Sequence, residues 1–474
     1  MNTNTNNGRV PFVQKMAFGA GHLVNNLFPG ALGVFSFFLL TAFGIDPIYA
    51  GLLSAIPRFI DALSDPIIGF ISDNTHSRWG RRRPFIFVGA ILCGLFFIVQ
   101  WQMDEKNGTV FNFWYFLICS ILFILFNAIF ATPLIGLGYE MTSDYKERTR
   151  LMGFSQTISQ LAWMIVPWFW VLIADKNLFA NQAEGVRKLS IVVGLICIVL
   201  GVLPALFCKE ENTTPPENQA KLNLKNAFNN LKHLMKDMKN MSKNNPFMRL
   251  CGATFLVFNG FQMVSSFSFF IIVFYMFNGS YEQAGTLPAW FATISALATA
   301  FLVIPIVTFL ANKFGKKNAF VISTIISIVG YVLKWWGFNP ENPYMIFMPV
   351  PFIAFGLGGL FTLMMSMTAD VCDLDELRNG LPRREGTFGA VYWWMVKLGQ
   401  ALALAIGGFV LEGVGFDQNA KVQSIETMHN LRIWDIIIPS VTAGLAILVM
   451  WNYDLSEERA IEIKKELEKR RAQN

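Results

Sequence analysis

The chain has 474 residues, of which 54% are hydrophobic and 15% charged, with 46 Phe and 13 Trp. Soluble domains carry about 25% charged residues, so a water-soluble core of this length is excluded and lipid is the expected solvent. The net charge of +6 falls mostly in short loops, where membrane topology places Lys and Arg, and no nucleic-acid partner is expected.

Residues 1–10 are polar and low in complexity, with no cleavable signal pattern ahead of the first apolar run, and are expected to be disordered. Apolar runs of about 20 residues, long enough to cross a bilayer, follow. There are twelve, centred near 30, 60, 94, 125, 162, 197, 262, 297, 328, 358, 402 and 442. Each is expected to be a helix, because backbone groups in hydrocarbon need internal hydrogen bonds and nothing alternates like a barrel strand. The fold class is therefore an all-α membrane protein with twelve transmembrane helices.

Residues 11–208 hold six spans and residues 246–452 the other six, as two six-helix bundles. Residues 209–245 between them are rich in Lys, Asn and Glu and read as a cytoplasmic linker. Within it, Leu224, Phe228, Leu231, Leu234 and Met238 stand near helical spacing, predicting an amphipathic helix at the membrane surface. Residues 453–474 form a charged tail, expected to be a helix that is solvated or lies on anionic lipid.

Basic residues cluster in alternate loops: Arg78, Arg81, Arg82 and Arg83 after span two, Lys146, Arg148 and Arg150 after span four, Lys313, Lys316 and Lys317 after span eight, Arg378, Arg383 and Arg384 after span ten. Such loops are cytoplasmic, so both termini are expected in the cytoplasm and the protein in the cell (inner) membrane. The six cysteines show no ligand spacing and are expected to be free thiols. No nucleophile and base pair, metal cluster or cofactor fingerprint stands at a span end, so neither an enzyme nor a cofactor is expected. Trp101, Trp335 and Trp336 lie near span ends and are expected in the interfacial belt.

Span two breaks the apolar pattern with Arg58, Asp61 and Asp65. Each charge near the centre of a membrane helix costs roughly 2.5 to 3.5 kcal/mol on insertion scales, and such residues mark ion or substrate paths. Asp61 and Asp65 are four apart and share a helix face, with Arg58 three residues before the first. Two carboxylates one turn apart suit a hard cation, and equally a proton, since double ionisation of near neighbours is disfavoured. The equivalent stretch of span eight, Leu302-Val-Ile-Pro-Ile-Val307, is wholly apolar, so ion coupling is expected in the first bundle.

The halves repeat weakly. Arg78-Trp-Gly-Arg-Arg-Arg-Pro-Phe85 is echoed by Lys313-Phe-Gly-Lys-Lys-Asn-Ala-Phe320, and Tyr139-Glu-Met-Thr-Ser-Asp144 by Ala369-Asp-Val-Cys-Asp373. Two related bundles joined by a long loop form the plan of a rocker-type secondary transporter, with its site at mid-membrane.

Asp61-Ala-Leu-Ser-Asp-Pro66, then Ser77-Arg-Trp-Gly80 and Arg83-Pro-Phe85, resemble the signature of the glycoside-pentoside-hexuronide:cation symporter family. These are the melibiose permease-like members of the major facilitator superfamily. Asp144 with Lys146, Glu147 and Arg148, Ala369-Asp370 with Asp373, and Met395-Val-Lys397 continue the resemblance in order along nearly the whole chain. It implies the major facilitator fold, alternating access, and a cation site of Asp61 and Asp65 helped by Ser64. Lys397 would approach from the other bundle, with Arg58 as a further coupling charge and no metal beyond Na+. The coupling ion stays open between Na+ and H+, and a static ion-pair network of Arg58, Asp61, Asp65 and Lys397 is the competing reading.

The family's acidic sugar ligands on spans one and four appear here as Asn26 and Ala131, and an arginine on span five as Gln156, which disfavours melibiose. The remaining polar, aromatic set is His22, Asn25 and Asn26, then Gln156, Gln160 and Trp163, then Phe361, then Tyr392 and Trp394. Trp393 shares the neighbourhood of Lys397, and spacing alone does not separate it from Trp394. Amides suit hydroxyls and aromatic faces suit ring C–H groups; the loss of acids with Arg58, His22 and Lys397 retained admits an anionic sugar such as a hexuronide. Asp73, Arg82, Glu140 and Arg148 are expected to form a cytoplasmic gate.

The function expected is cation-coupled symport of a sugar, glycoside or hexuronide by a monomeric unit. Two alternatives stand beside it: a sodium-coupled lysophospholipid transporter of the same superfamily, and a non-transporting sugar sensor, for which the segment after Asn452 is not expected to supply a signalling domain.

Overall fold

All twelve apolar runs are helical in the computed structural model, which describes residues 9–73, 75, 77–142, 145–209, 241, 244–379 and 385–473. The first six are α1 (Phe12–Thr41), α2 (Pro47–Asp73), α3 (Arg83–Gln100), α4 (Thr109–Glu140), α5 (Tyr145–Ile165, resuming as Trp168–Ala174) and α6 (Gln182–Phe207). Pro167, which has no N–H to continue the ladder, stands at the break in α5. The second six are α7 (Asn245–Phe270), α8 (Leu287–Ala298, continuing through Ile304–Phe314), α9 (Lys316–Gly337), α10 (Val350–Asn379), α11 (Glu385–Gly413) and α12 (Ile425–Trp451). α7 ends in a π-helical turn, Ile271–Met276, and a second π segment, Thr299–Val303, lies inside α8.

Among the described residues, eleven helical stretches are long and apolar enough to cross a membrane. The twelfth helix, α2, has the length at 27 residues but carries Arg58, Asp61 and Asp65. Several helices begin on side-chain caps that accept an otherwise unpaired N–H. Asn181 accepts from Glu184 at 2.8 Å while Glu184 accepts from Ala180, and Asn244 and Ser424 cap α7 and α12 in the same manner.

The chain packs as two compact units, Met1–Lys232 and His233–Asn474. In the first, Phe28, Phe35, Phe97, Phe123 and Trp101 form a chain of edge and tilted ring contacts at 4.9 to 6.0 Å with Phe116. Trp101 is fully buried, so it belongs to this core and not to the interfacial belt; its ring fills the space between α1 and α4 instead of reaching headgroups. In the second unit, Phe247, Phe388, Leu360, Met364 and Tyr392 lie in one apolar core. All six cysteines are buried thiols.

The tail forms the expected helix, α13 (Glu457–Gln473), and one edge of it packs on the second unit. Ile463 and Leu467 are buried in the second unit's core beside Tyr453 and Leu455, and Arg470 donates to the carbonyl of Leu377 near the end of α10 at 3.2 Å. The expected linker helix lies outside the described residues except for Met241, which is buried in the same core.

Candidate cation and substrate sites

Asp61 and Ser64 are buried on α2 and Asp65 is partly buried. Arg58 Nη1 stands 3.9 Å from Asp61 Oδ2. Ser64 donates its hydroxyl proton to the carbonyl of Asp61 at 3.1 Å, which leaves the oxygen lone pairs for a cation. Asp65 accepts from Thr132 on α4 at 3.3 Å. Thr132 was not among the sequence candidates; the signal was a hydroxyl beside Pro133, two polar-backbone cues within an apolar run. The group therefore offers carboxylate and hydroxyl oxygens from two helices, the ligand type hard cations take.

A second polar array lies on α1 and α5. Asn26 donates to the carbonyl of His22 at 3.0 Å and accepts from the indole N–H of Trp163 at 3.2 Å. Gln156, Gln160 and Trp163 are all exposed and lie at intervals of four and three, one face of α5. Amides facing hydrocarbon would be left without partners at a cost of several kcal/mol, so this stripe faces water. His22 packs edge-on against Phe18 at 4.6 Å, and its Nε2 is buried with no hydrogen-bond partner. Asn25 is partly buried on the same helix.

In the second unit Phe361 stacks on Trp393 at 5.8 Å, and Trp393 is half-exposed. Tyr392 is fully buried in the apolar core, which corrects its expected place as a substrate contact: at the position before Trp393 its side chain turns inward, edge-on to that ring. Trp394 and Lys397 are partly buried on α11.

At the basic-loop end of the first unit, Arg81 and Arg82 converge on Glu140, with Nη2 at 2.5 Å and Nε at 2.6 Å from Oε1. Arg83 donates to the carbonyls of Ala205 and Leu206 at the end of α6. The second unit repeats the device. Lys316 pairs with Asp370 at 2.5 Å, and Lys317 donates to the carbonyl of Trp451 at the end of α12 at 2.6 Å. The two sequence echoes are thus the two sides of one ion pair in each half. Gly80 and Gly315 precede both basic groups with positive φ, 99° and 79°, the region only glycine enters without strain. The side chains of Asp73 and Arg148 lie outside the described residues.

One buried charged group was not anticipated. Lys334 on α9 pairs with Asp435 on α12, both 1% exposed. Beside them the Arg432 guanidinium lies between the rings of Tyr275 and Trp335, at 4.1 and 4.4 Å.

Twelve helices in two units, a repeated ion-paired end and carboxylates within a span define a secondary membrane transporter of the major facilitator fold. The family model described as MFS/sugar transport protein matches residues 17–457, and the chain belongs to this family, within its glycoside-pentoside-hexuronide symporter group. It is 25% identical to a glucuronide carrier protein homolog of Escherichia coli (strain K12), over 96% of this chain and 95% of that protein. It is 23% identical to the isoprimeverose transporter of Lactiplantibacillus pentosus, over 94% and 90%. A solved bacterial homolog of the human lysosomal transporter Spinster, inward-facing and unoccupied, shares the fold with a TM-score of 0.66 at 17% identity, over 93% of this chain and 97% of that one.

Proposed function

We propose that the chain couples the downhill movement of Na+ or H+ to uptake of a sugar glycoside or hexuronide. The observation that carries this reading is the pair of buried Asp61 and partly buried Asp65 with Ser64 and Thr132, inside a span that otherwise gains nothing from charge. The water-facing amides Gln156 and Gln160 beside Trp163 support a hydroxyl-rich substrate, and the likeness to a glucuronide carrier homolog and an isoprimeverose transporter supports a glycoside or hexuronide. Cation binding neutralises the carboxylates and raises affinity for sugar; the coupling is reciprocal, so sugar tightens cation binding by the same factor. Alternating access follows as the shift of a two-state population by both ligands. The distribution of Lys and Arg supports a cell-membrane protein whose basic-loop end faces the cytoplasm, with the single chain as the working unit.

The test is uptake of a labelled glycoside and uronide panel into vesicles under separate sodium and proton gradients. Accumulation of one sugar class under one gradient is expected. No gradient-dependent uptake of any sugar would overturn the reading in favour of the lipid alternative.

A further inference from the structure

We infer that Asn26 is a positioning residue rather than a sugar ligand, and that it holds the indole of Trp163 as the stacking platform for the apolar face of a pyranose ring. This rests on the sugar-transport reading and assigns the two residues different jobs within it. Both ends of the Asn26 amide are engaged: one N–H goes to the carbonyl of His22 at 3.0 Å, and the oxygen takes the indole N–H of Trp163 at 3.2 Å. The two bonds fix the amide's orientation and leave it a bracket between α1 and α5.

Trp163 is the reverse case. Its one polar atom is spent on Asn26, yet 43% of its surface is open. Tryptophans that lie in membranes for anchoring sit at the two interfaces. Asn26 is 14 residues into a 30-residue helix, about 21 Å along it at 1.5 Å per residue, so the pair lies at mid-depth. There Trp163 continues the exposed stripe of Gln156 and Gln160. An aromatic face with its N–H tied back and two amides on one side suits a sugar ring, with C–H groups on the indole and hydroxyls on the amides.

The test has one arm that needs no sugar and one that does. With 5-fluorotryptophan incorporated, the resonance lost in Trp163→Phe is assigned to Trp163. Asn26→Ala should shift or broaden that resonance; an unchanged resonance overturns the bracket whatever the substrate. Methyl β-D-glucuronide and methyl β-D-xyloside are then added to the unsubstituted chain. A shift of the Trp163 resonance by either supports the platform, and a spectrum untouched by both overturns it.

Uptake of whichever of these two shifts the resonance completes a double-mutant cycle. Asn26→Ala should raise KM roughly five- to tenfold, the weight of one orienting hydrogen bond, with the maximal rate within about twofold. In the Trp163→Phe background, where that bond is already gone, Asn26→Ala should add nothing. An equal KM penalty in both backgrounds would mean that Asn26 touches the sugar itself and would overturn the inference. A shifted resonance with no uptake under any gradient would instead sink the transport reading while leaving the bracket intact.

Discussion

Asp61 and Asp65 face different partners although they are one turn apart: Arg58 stands 3.9 Å from the first and Thr132 donates to the second. Removing either negative charge should therefore uncouple transport without abolishing the sugar site. Asp61→Asn or Asp65→Asn is expected to reduce gradient-driven accumulation about 5- to 150-fold, the range of ordinary coupling free energies, while sugar exchange persists. Full accumulation by both variants would remove the pair from the mechanism. Lys334 and Asp435 pose a different question, because two ions 1% exposed lie far in sequence from any motif. Lys334→Met alone leaves Asp435 without its partner and should cost about 3 to 5 kcal/mol, whereas Lys334→Met with Asp435→Leu should recover most of that loss. Thermal unfolding of the three variants reads the difference. The charges on α2 were legible in the sequence because three of them interrupt one apolar run. Lys334 and Asp435 were not, since each is a single charge near a span end and only packing shows that they meet. Trp393 and Tyr392 were hidden for a related reason: neighbours on a helix differ by about 100° in direction, and the sequence does not say which of them faces the core.

At the scale of elements, polar side chains tie α1 to α5 at two depths. Asn26 and Trp163 bind them at mid-depth, and Glu147 binds them at the basic-loop end. Its carboxylate lies 2.5 Å from Lys15 Nζ and accepts the backbone N–H of Val10 at 3.1 Å. Glu147 precedes the membrane span that begins at Arg150, and the hydrogen bond from Lys15 holds its carboxyl below the ordinary value of 4.5. The native state thus binds this proton less tightly than the unfolded chain does. Its contribution to stability is complete above about pH 4.5 and is lost as pH falls through the lower native value. Glu147→Gln should flatten the acid limb of a plot of melting temperature against pH and leave the slope near neutrality unchanged; an unaltered acid limb would show that the tie carries no stability. The sequence marked Glu147 as part of a family loop, but its partners Val10 and Lys15 are 137 and 132 positions away, beyond any local pattern. The packed edge of the tail was illegible for an energetic reason of the same kind. Its charges suggested water or lipid, while Ile463 and Leu467, four apart, supply a narrow apolar edge that the end of α10 covers.

For the molecule as a whole, the repeat that was faint in the sequence is plain in its contacts. Arg81 with Glu140 and Lys316 with Asp370 occupy matching places, yet the residue that reaches the next helix end is Arg83 in one half and Lys317 in the other. The two segments have the same length, so the contact with the helix end is made one position later in the first half, where Arg83 stands opposite Asn318 of the second. Substrate choice was the least legible property, because it depends on which polar side chains are spent on one another, as Asn26 is, and which are left to a ligand.

The burial of Cys93, Cys119, Cys197, Cys208, Cys251 and Cys372 makes the natural chain its own blank for thiol chemistry. No cysteine-free background has to be built before a reporter is introduced. Gln156→Cys, on the exposed face of α5, should take up one equivalent of a charged, membrane-impermeant maleimide, and the parent chain close to none. Protection of that single thiol by sugar, followed with and without sodium, would then time the opening of the water-facing stripe directly. Rapid labelling of the parent chain under native conditions would show that its core opens far more readily than its packing implies.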